Sequence, residues 1–267
     1  MTLLVISPDY ASHYGPLAVM ARAAQQAGRR VVIATGHSLR SRVKVEGFEW
    51  RELNLAASSN SGVVTRNASI DRFLAATRQG PLDTIRYQAM QRQVDLLWKP
   101  EQVVGSVTAL YKDLEPEEVL VDHVSFGSTL AMYAIGEDFM TLVPGHPSQL
   151  PVGKERYGIP AEWPACMRPD NVQLNEVERL ADTVTAAFTD RWNSALAMVA
   201  PERPPVEDAF RVHGRRVLYN SVSRYHSALR SAELSLDHRF VGPLVREETL
   251  PENMDAWRDK KDNRPQI

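Results

Sequence analysis

One cysteine, Cys166, stands in the whole chain. A lone thiol forms no internal disulfide and supplies no cysteine cluster for a metal. Long apolar runs are missing too, and no stretch approaches the roughly 18 residues of a membrane-spanning helix. The leading run, Leu3 to Ile6, is too short for a signal-peptide core and lacks a basic leader. Charge of one sign is also absent. Lys and Arg number 31 against 33 Asp and Glu, for a formal net charge of -2, so the broad basic face that nucleic acid requires is not expected. Lys260 and Lys261 read as a solvated pair. There is no internal repeat and no low-complexity tract. What remains is 43% hydrophobic and 24% charged, the balance of a chain with a packed core, expected to be soluble and cytoplasmic.

The order of patterns along the chain gives the fold class. Leu3-Leu4-Val5-Ile6 is continuous and apolar, as in a strand covered on both faces. Pro16 reads as first-turn proline of a helix whose apolar positions Leu17, Met20, Ala21, Ala24 and Ala27 repeat at helical spacing, with Gly28 as its cap. Val31 to Ala34 is the next strand, so the chain opens on a βαβ unit. A strand is expected near Phe48–Leu53, then a Ser/Asn/Gly-rich loop over Ala56–Ser69. Helices follow over about Ile70–Gln79 and Leu82–Leu114, the second kinked or divided at Pro100. Val119–Val121 is a strand ending on Asp122, with a small-residue helix over Phe126–Ile135 and a strand over Phe139–Val143. The segment Pro144–Asp170 holds six prolines and three glycines and reads as a long functional loop. A helix over Val172–Val199 and strands at Arg216–Tyr219 and Arg239–Val241 complete an α/β Rossmann-like fold. It is doubly wound, with a mostly parallel sheet of about seven strands and helices on both faces.

Such a sheet binds ligands beyond the carboxyl ends of its strands. His13, Asp122 and the loop after Val143 all follow strands, so all are expected on that edge. An imidazole with a carboxylate behind it is what a general base needs. The carboxylate fixes the tautomer and stabilises the imidazolium. The N-terminus of the first helix disfavours that imidazolium and Asp122 favours it. His123 is the reserve candidate, pointing the other way if strand alternation persists. His37 and His146 lie in loops on the same edge. The loop "SPDYASHYG" lacks the Gly-x-Gly-x-x-Gly that a nicotinamide-dependent oxidoreductase needs for close pyrophosphate approach.

Several stretches together resemble a known family. "SHYGPLAVMARAAQQAGRRVVIATG" keeps a His-x-x-Pro spacing at His13 and Pro16, and "VLVDHVSFGSTLAMYAIG", "RVLYNSVSRYHSAL" and "HRFVGPLV" follow in order. This is similar to the N-terminal half of inverting, nucleotide-sugar-dependent glycosyltransferases of the two-domain GT-B fold, in particular bacterial natural-product (antibiotic biosynthesis) enzymes. Ser12 departs from the family's usual glycine.

The resemblance implies an acceptor-binding domain over 1–244 and an interdomain linker over 245–267. Beyond the linker it implies a C-terminal domain carrying the His-x-Gly-x-x-[ST] segment and acidic-Gln pair that bind the nucleoside-diphosphate sugar (NDP-sugar). No such segment occurs in this sequence, so the chain alone is expected to be inactive. His13 is expected as catalytic base and Asp122 as its support. Tyr14, Met90, Phe126 and His146 are expected to contact a small-molecule acceptor. The NDP-sugar is a co-substrate; no cofactor and no metal are expected, since the sequence has no Asp-x-Asp motif. The alternatives are a stand-alone, non-catalytic small-molecule-binding or accessory protein with this half fold and, more distantly, a GT-B epimerase.

Overall fold

The computed structural model describes residues 1–56 and 68–245. Seven strands form one all-parallel sheet: β1 (Thr2–Ile6), β2 (Arg30–Thr35), β3 (Glu49–Glu52), β4 (Glu118–Asp122), β5 (Met140–Val143), β6 (Arg216–Tyr219) and β7 (His238–Phe240). Their order across the sheet is β3-β2-β1-β4-β5-β6-β7. The apolar runs are central strands with two covered faces. Alternate residues of each run enter different cores because successive side chains leave a strand on opposite sides. Leu4, Ile6, Val32, Ala34, Val119 and Val121 pack on one face. Leu3, Val5, Val31, Ile33 and Leu120 pack on the other.

The first face is covered by α5 (Pro100–Leu114), α6 (Phe126–Ile135) and the 29-residue α7 (Asn171–Val199). The second is covered by α1 (Ala11–Gln26) through Tyr14, Leu17, Ala18 and Ala21, and by Val43 of α2 (Arg40–Val45). Helices α3 (Ala68–Gln79) and α4 (Pro81–Asp95) pack on each other, and α4 packs on α7. A short α8 (Ala228–Glu233) precedes β7. The expected loop at 56–69 lies mostly outside the described residues, as do residues 246–267 of the expected linker.

The structure corrects one expectation about elements and sharpens two others. Helix α1 begins at Ala11, so His13 lies inside its first turn and Pro16 lies within the helix. The His13 and Tyr14 N–H groups both bond the Tyr10 carbonyl, at 3.1 and 2.9 Å, and close the turn ahead of the proline. Of the two outcomes expected at Pro100, a kink or a division, the structure has the division: 82–114 forms two helices. Lys99 is left-handed (φ 40°) and Pro100 occupies the first turn of α5, where a missing N–H costs nothing. Segment 144–170 is the expected loop, irregular apart from two 3-10 turns, and part of it enters the core. Leu150, Tyr157 and Ile159 are buried, and the Tyr157 ring stacks on Phe210 at 4.0 Å.

Candidate active site

In this strand order the sheet reverses direction of winding between β1 and β4. The chain leaves β1 toward β2 on one side and β4 toward β5 on the other, which opens a crevice at the carboxyl ends of the two strands. His13 comes from the first turn of α1, directly after β1, and Asp122 is the last residue of β4. His13 Nδ1 and Asp122 Oδ2 are 3.0 Å apart. Asp122 is wholly buried and its Oδ1 accepts the Val124 N–H at 2.9 Å. The carboxylate is thus anchored by the backbone on one oxygen and holds the imidazole with the other. His13 keeps 21% of its side-chain surface exposed. With Nδ1 taken by the carboxylate, Nε2 is the nitrogen left to meet a proton from outside.

The loop before His13 is itself fixed. Asp9 accepts the Ser38 hydroxyl at 2.6 Å and the N–H groups of Ser38 and Leu39 at 3.2 Å each, tying the β1–α1 loop to the turn after β2. Gly36 permits this approach: a Cβ there would stand 2.4 Å from Asp9 Oδ2.

Burial of the His13 ring works against its charged form, but the charge of Asp122 and its hydrogen bond together outweigh burial, and the pKa rises above the ordinary 6.5. A group raised in this way adds stability fully below its unfolded value of about 6.5, and that stability is lost as pH climbs through the folded value. Proton NMR titration of the imidazole is expected to give a midpoint above 6.5 in the wild type. In Asp122→Asn burial is unopposed by the carboxylate, so the midpoint should fall below 6.5. An unchanged midpoint would mean that Asp122 does not set the charge state of His13.

The other sequence candidates divide sharply. Tyr14 is fully buried in the α1 core and its hydroxyl donates to Glu46 at 2.6 Å. Phe126 is fully buried among Phe188, Phe210, Tyr157 and His123. Neither has surface to offer an acceptor, so both expectations are corrected: these rings complete the hydrophobic faces of α1 and α6. His123 is buried too; its Nε2–H donates to the Gln149 carbonyl, and burial holds its pKa down at about 4. Met90 lies on α4 and is 62% exposed. His37 is exposed, with its ring edge-on to Trp50 at 6.1 Å.

His146 is exposed, follows β5 by three residues and caps the first turn of segment 144–170, its Nδ1 accepting the Ser148 N–H at 3.2 Å. It borders a cavity of about 670 Å³ whose other walls include Ile85, Pro147, Trp163 and Arg230. A second hollow of about 590 Å³ shares Pro160, Ser227 and Arg230 with it. Sequence reading gave no hint of Arg230. It sits in a short polar stretch without periodicity, and only the tertiary fold buries it. Among the described residues there is no group of three or more His, Cys, Asp or Glu placed to hold a metal, and no helix is long and apolar enough to cross a membrane.

No family model and no curated protein matches this chain. Among solved structures, it is similar to the glycotransferase of kitacinnamycin over 91% of this chain and 51% of that one, at 17% identity and a TM-score of 0.58. It is also similar to CalG4, the calicheamicin glycosyltransferase, over 90% and 52% of the two chains, at 12% identity and a TM-score of 0.52. The chain thus spans about half the length of the structures it matches. At these identities the likeness is one of fold: this is the doubly wound architecture of one half of a GT-B glycosyltransferase.

Proposed function

We propose that this chain is the acceptor-binding half of an inverting glycosyltransferase that moves a sugar from an NDP-sugar to a hydroxyl of a small molecule. The observation that carries this reading is the 3.0 Å contact between His13 Nδ1 and a buried, backbone-anchored Asp122 at the switch point of the sheet. In the proposed step His13 Nε2 takes the acceptor hydroxyl proton as the oxygen attacks the anomeric carbon. The bond from that carbon to the diphosphate breaks on the opposite face, and the nucleoside diphosphate leaves with the electron pair. A geometry of simultaneous entry and departure inverts the centre, through a transition state of oxocarbenium character like that of glycoside hydrolysis. Asp122 holds the tautomer with Nε2 unprotonated and balances the imidazolium that forms. No metal is used by these residues. The diphosphate would be held by a donor-binding half, the part that the resemblance puts beyond the linker at 245–267.

Sugar transfer, followed by mass spectrometry with a panel of NDP-sugars and small-molecule alcohols and phenols, tests the reading. The chain alone is expected to bind acceptor and transfer no sugar. Joined to a GT-B donor-binding half, it is expected to transfer. Robust transfer by the chain alone would overturn the half-enzyme reading, and acceptor binding without transfer in any pairing would point instead to a stand-alone binding protein.

A further inference from the structure

The stretch 147–155 forms a wall shared by the two hollows, with Pro147 and Ser148 on the larger and Val152, Lys154 and Glu155 on the smaller, and it has no regular structure beyond one 3-10 turn. Three of its carbonyls nevertheless converge on two buried side chains. Arg230 of α8, only 7% exposed, donates through Nη2 to the carbonyls of Pro147 at 2.8 Å and Leu150 at 2.9 Å. Its Nη1 pairs with Glu155, and its Nε–H donates to His226 Nδ1 at 3.1 Å. Between these anchor points, the Gln149 carbonyl is held by His123, the neighbour of Asp122. A guanidinium has five N–H donors. With Nε–H, two on Nη2 and one on Nη1 engaged, Arg230 is committed to the protein and is not a receptor for an anion.

The start of the same segment is tied from the same side. Asn220, just after β6, donates to the Pro144 carbonyl at 2.8 Å and accepts the Leu244 N–H at 2.6 Å. The wall therefore takes its register from residues 220–244.

We propose that Arg230 is a positioning residue: it fixes the 147–155 wall of the cavity and thereby sets how an acceptor is held relative to His13. The link to His13 rests on the glycosyl-transfer reading; the fixing of the wall does not. Strands about 4.8 Å apart put β5, which leads into this wall, roughly 10 Å from β1, which leads into His13.

His226 makes the clamp sensitive to acid. It accepts a hydrogen bond through Nδ1, so it is neutral, and a second proton would place an imidazolium against a guanidinium. The groups around it are Arg230 from α8, which itself pairs with Glu155 of the wall, His146 just ahead of the wall, Tyr219 from β6 and Phe240 from β7. Burial first, and the charge of His146 second, hold His226 below 6.5. Once the wall opens, His226 returns to its ordinary pKa and binds a proton more readily than when closed. Opening is therefore favoured progressively as pH falls below about 6.5, and the effect levels off beneath the lowered value.

Hydrogen exchange of the full chain, read on the peptides covering 145–159 between about pH 5 and pH 8 and corrected for intrinsic rates, tests the clamp. Wild-type protection there is expected to fall toward the acid end, while peptides of β1 and β4 show no such fall. His226→Gln keeps an acceptor but cannot titrate, and should flatten the profile. Arg230→Lys should lower protection at every pH, and Arg230→Met further. Wild-type protection in Arg230→Lys overturns the clamp. A retained acid response in His226→Gln overturns the role of His226 and points to His146, whose ring burial and Arg230 also hold below 6.5. In a transfer-competent enzyme, Arg230→Lys should raise KM for the acceptor about ten-fold with kcat and donor KM unchanged. A fall in kcat of that size with acceptor KM unmoved would overturn positioning. If the wild type transfers no sugar at all, the glycosyl-transfer reading fails while the exchange result still decides the clamp.

Discussion

In an enzyme that pairs this chain with a donor-binding half, His13→Ala is expected to lower kcat for transfer to an aliphatic alcohol by about 10²–10⁴-fold, the range for a lost general base. KM for the NDP-sugar should hardly move, because the imidazole faces the acceptor hydroxyl. Asp122→Asn removes the charge that supports the imidazolium and offers Nδ1 a donor where it had an acceptor, which favours the wrong tautomer. A loss of about 10²-fold or more is expected there. The double variant should be little worse than His13→Ala alone, since residues that act as a unit are strongly non-additive. Fully multiplicative losses would show that the buried carboxylate acts without His13. The nature of the acceptor gives a sharper check. A phenol already ionised at the assay pH needs no base and should recover most of the lost rate, whereas an aliphatic alcohol should not. Near-normal turnover of an alcohol by His13→Ala would reduce His13 to a helix residue that fills a crevice.

The pair was legible in the sequence for a topological reason. In an all-parallel sheet every strand delivers its carboxyl end to one edge, so residues 13 and 122 meet once β1 and β4 are recognised as strands. Those strands are easily recognised because both their faces are buried and their sequences are continuous apolar runs. The same reasoning fails for side chains around the pair. Whether a tyrosine or phenylalanine near a site lines it or supports it depends on rotation about a helix axis. Tyr14 directly follows His13 yet points into the sheet, because α1 starts at Ala11 and sets that rotation. The 144–170 segment was legible as a loop, but what holds it was not, for the opposite reason. Its order comes from buried groups far away in sequence, with Arg230 reaching back 83 residues to Pro147 and 75 to Glu155. No local pattern encodes such contacts.

Phe126 provides the test that separates lining from support. Its ring meets Phe188 at 5.1 Å, Phe210 at 5.3 Å and Tyr157 at 6.0 Å, all edge-on, and Phe210 in turn stacks on both Phe188 and Tyr157. Removing it leaves a cavity at the centre of these three rings, which cannot collapse without unstacking. Phe126→Ala is therefore expected to destabilise the fold by about 3–5 kcal/mol, a fall in Tm of roughly 6–20 °C. Phe126→Leu, which keeps most of the volume, should cost less than about 1.5 kcal/mol. Met90→Ala, on the exposed face of α4, should stay within about 0.5 kcal/mol of wild type. Thermal and denaturant unfolding of the full chain measures all three. An acceptor-lining phenylalanine would give the reverse pattern, with Tm little changed and acceptor binding weakened in both Phe126 variants. That result would move Phe126 out of the core and into the site. The outcome expected instead is that Phe126→Leu binds acceptor as the wild type does, because α6 starts at residue 126 and the leucine still packs its first turn into the core.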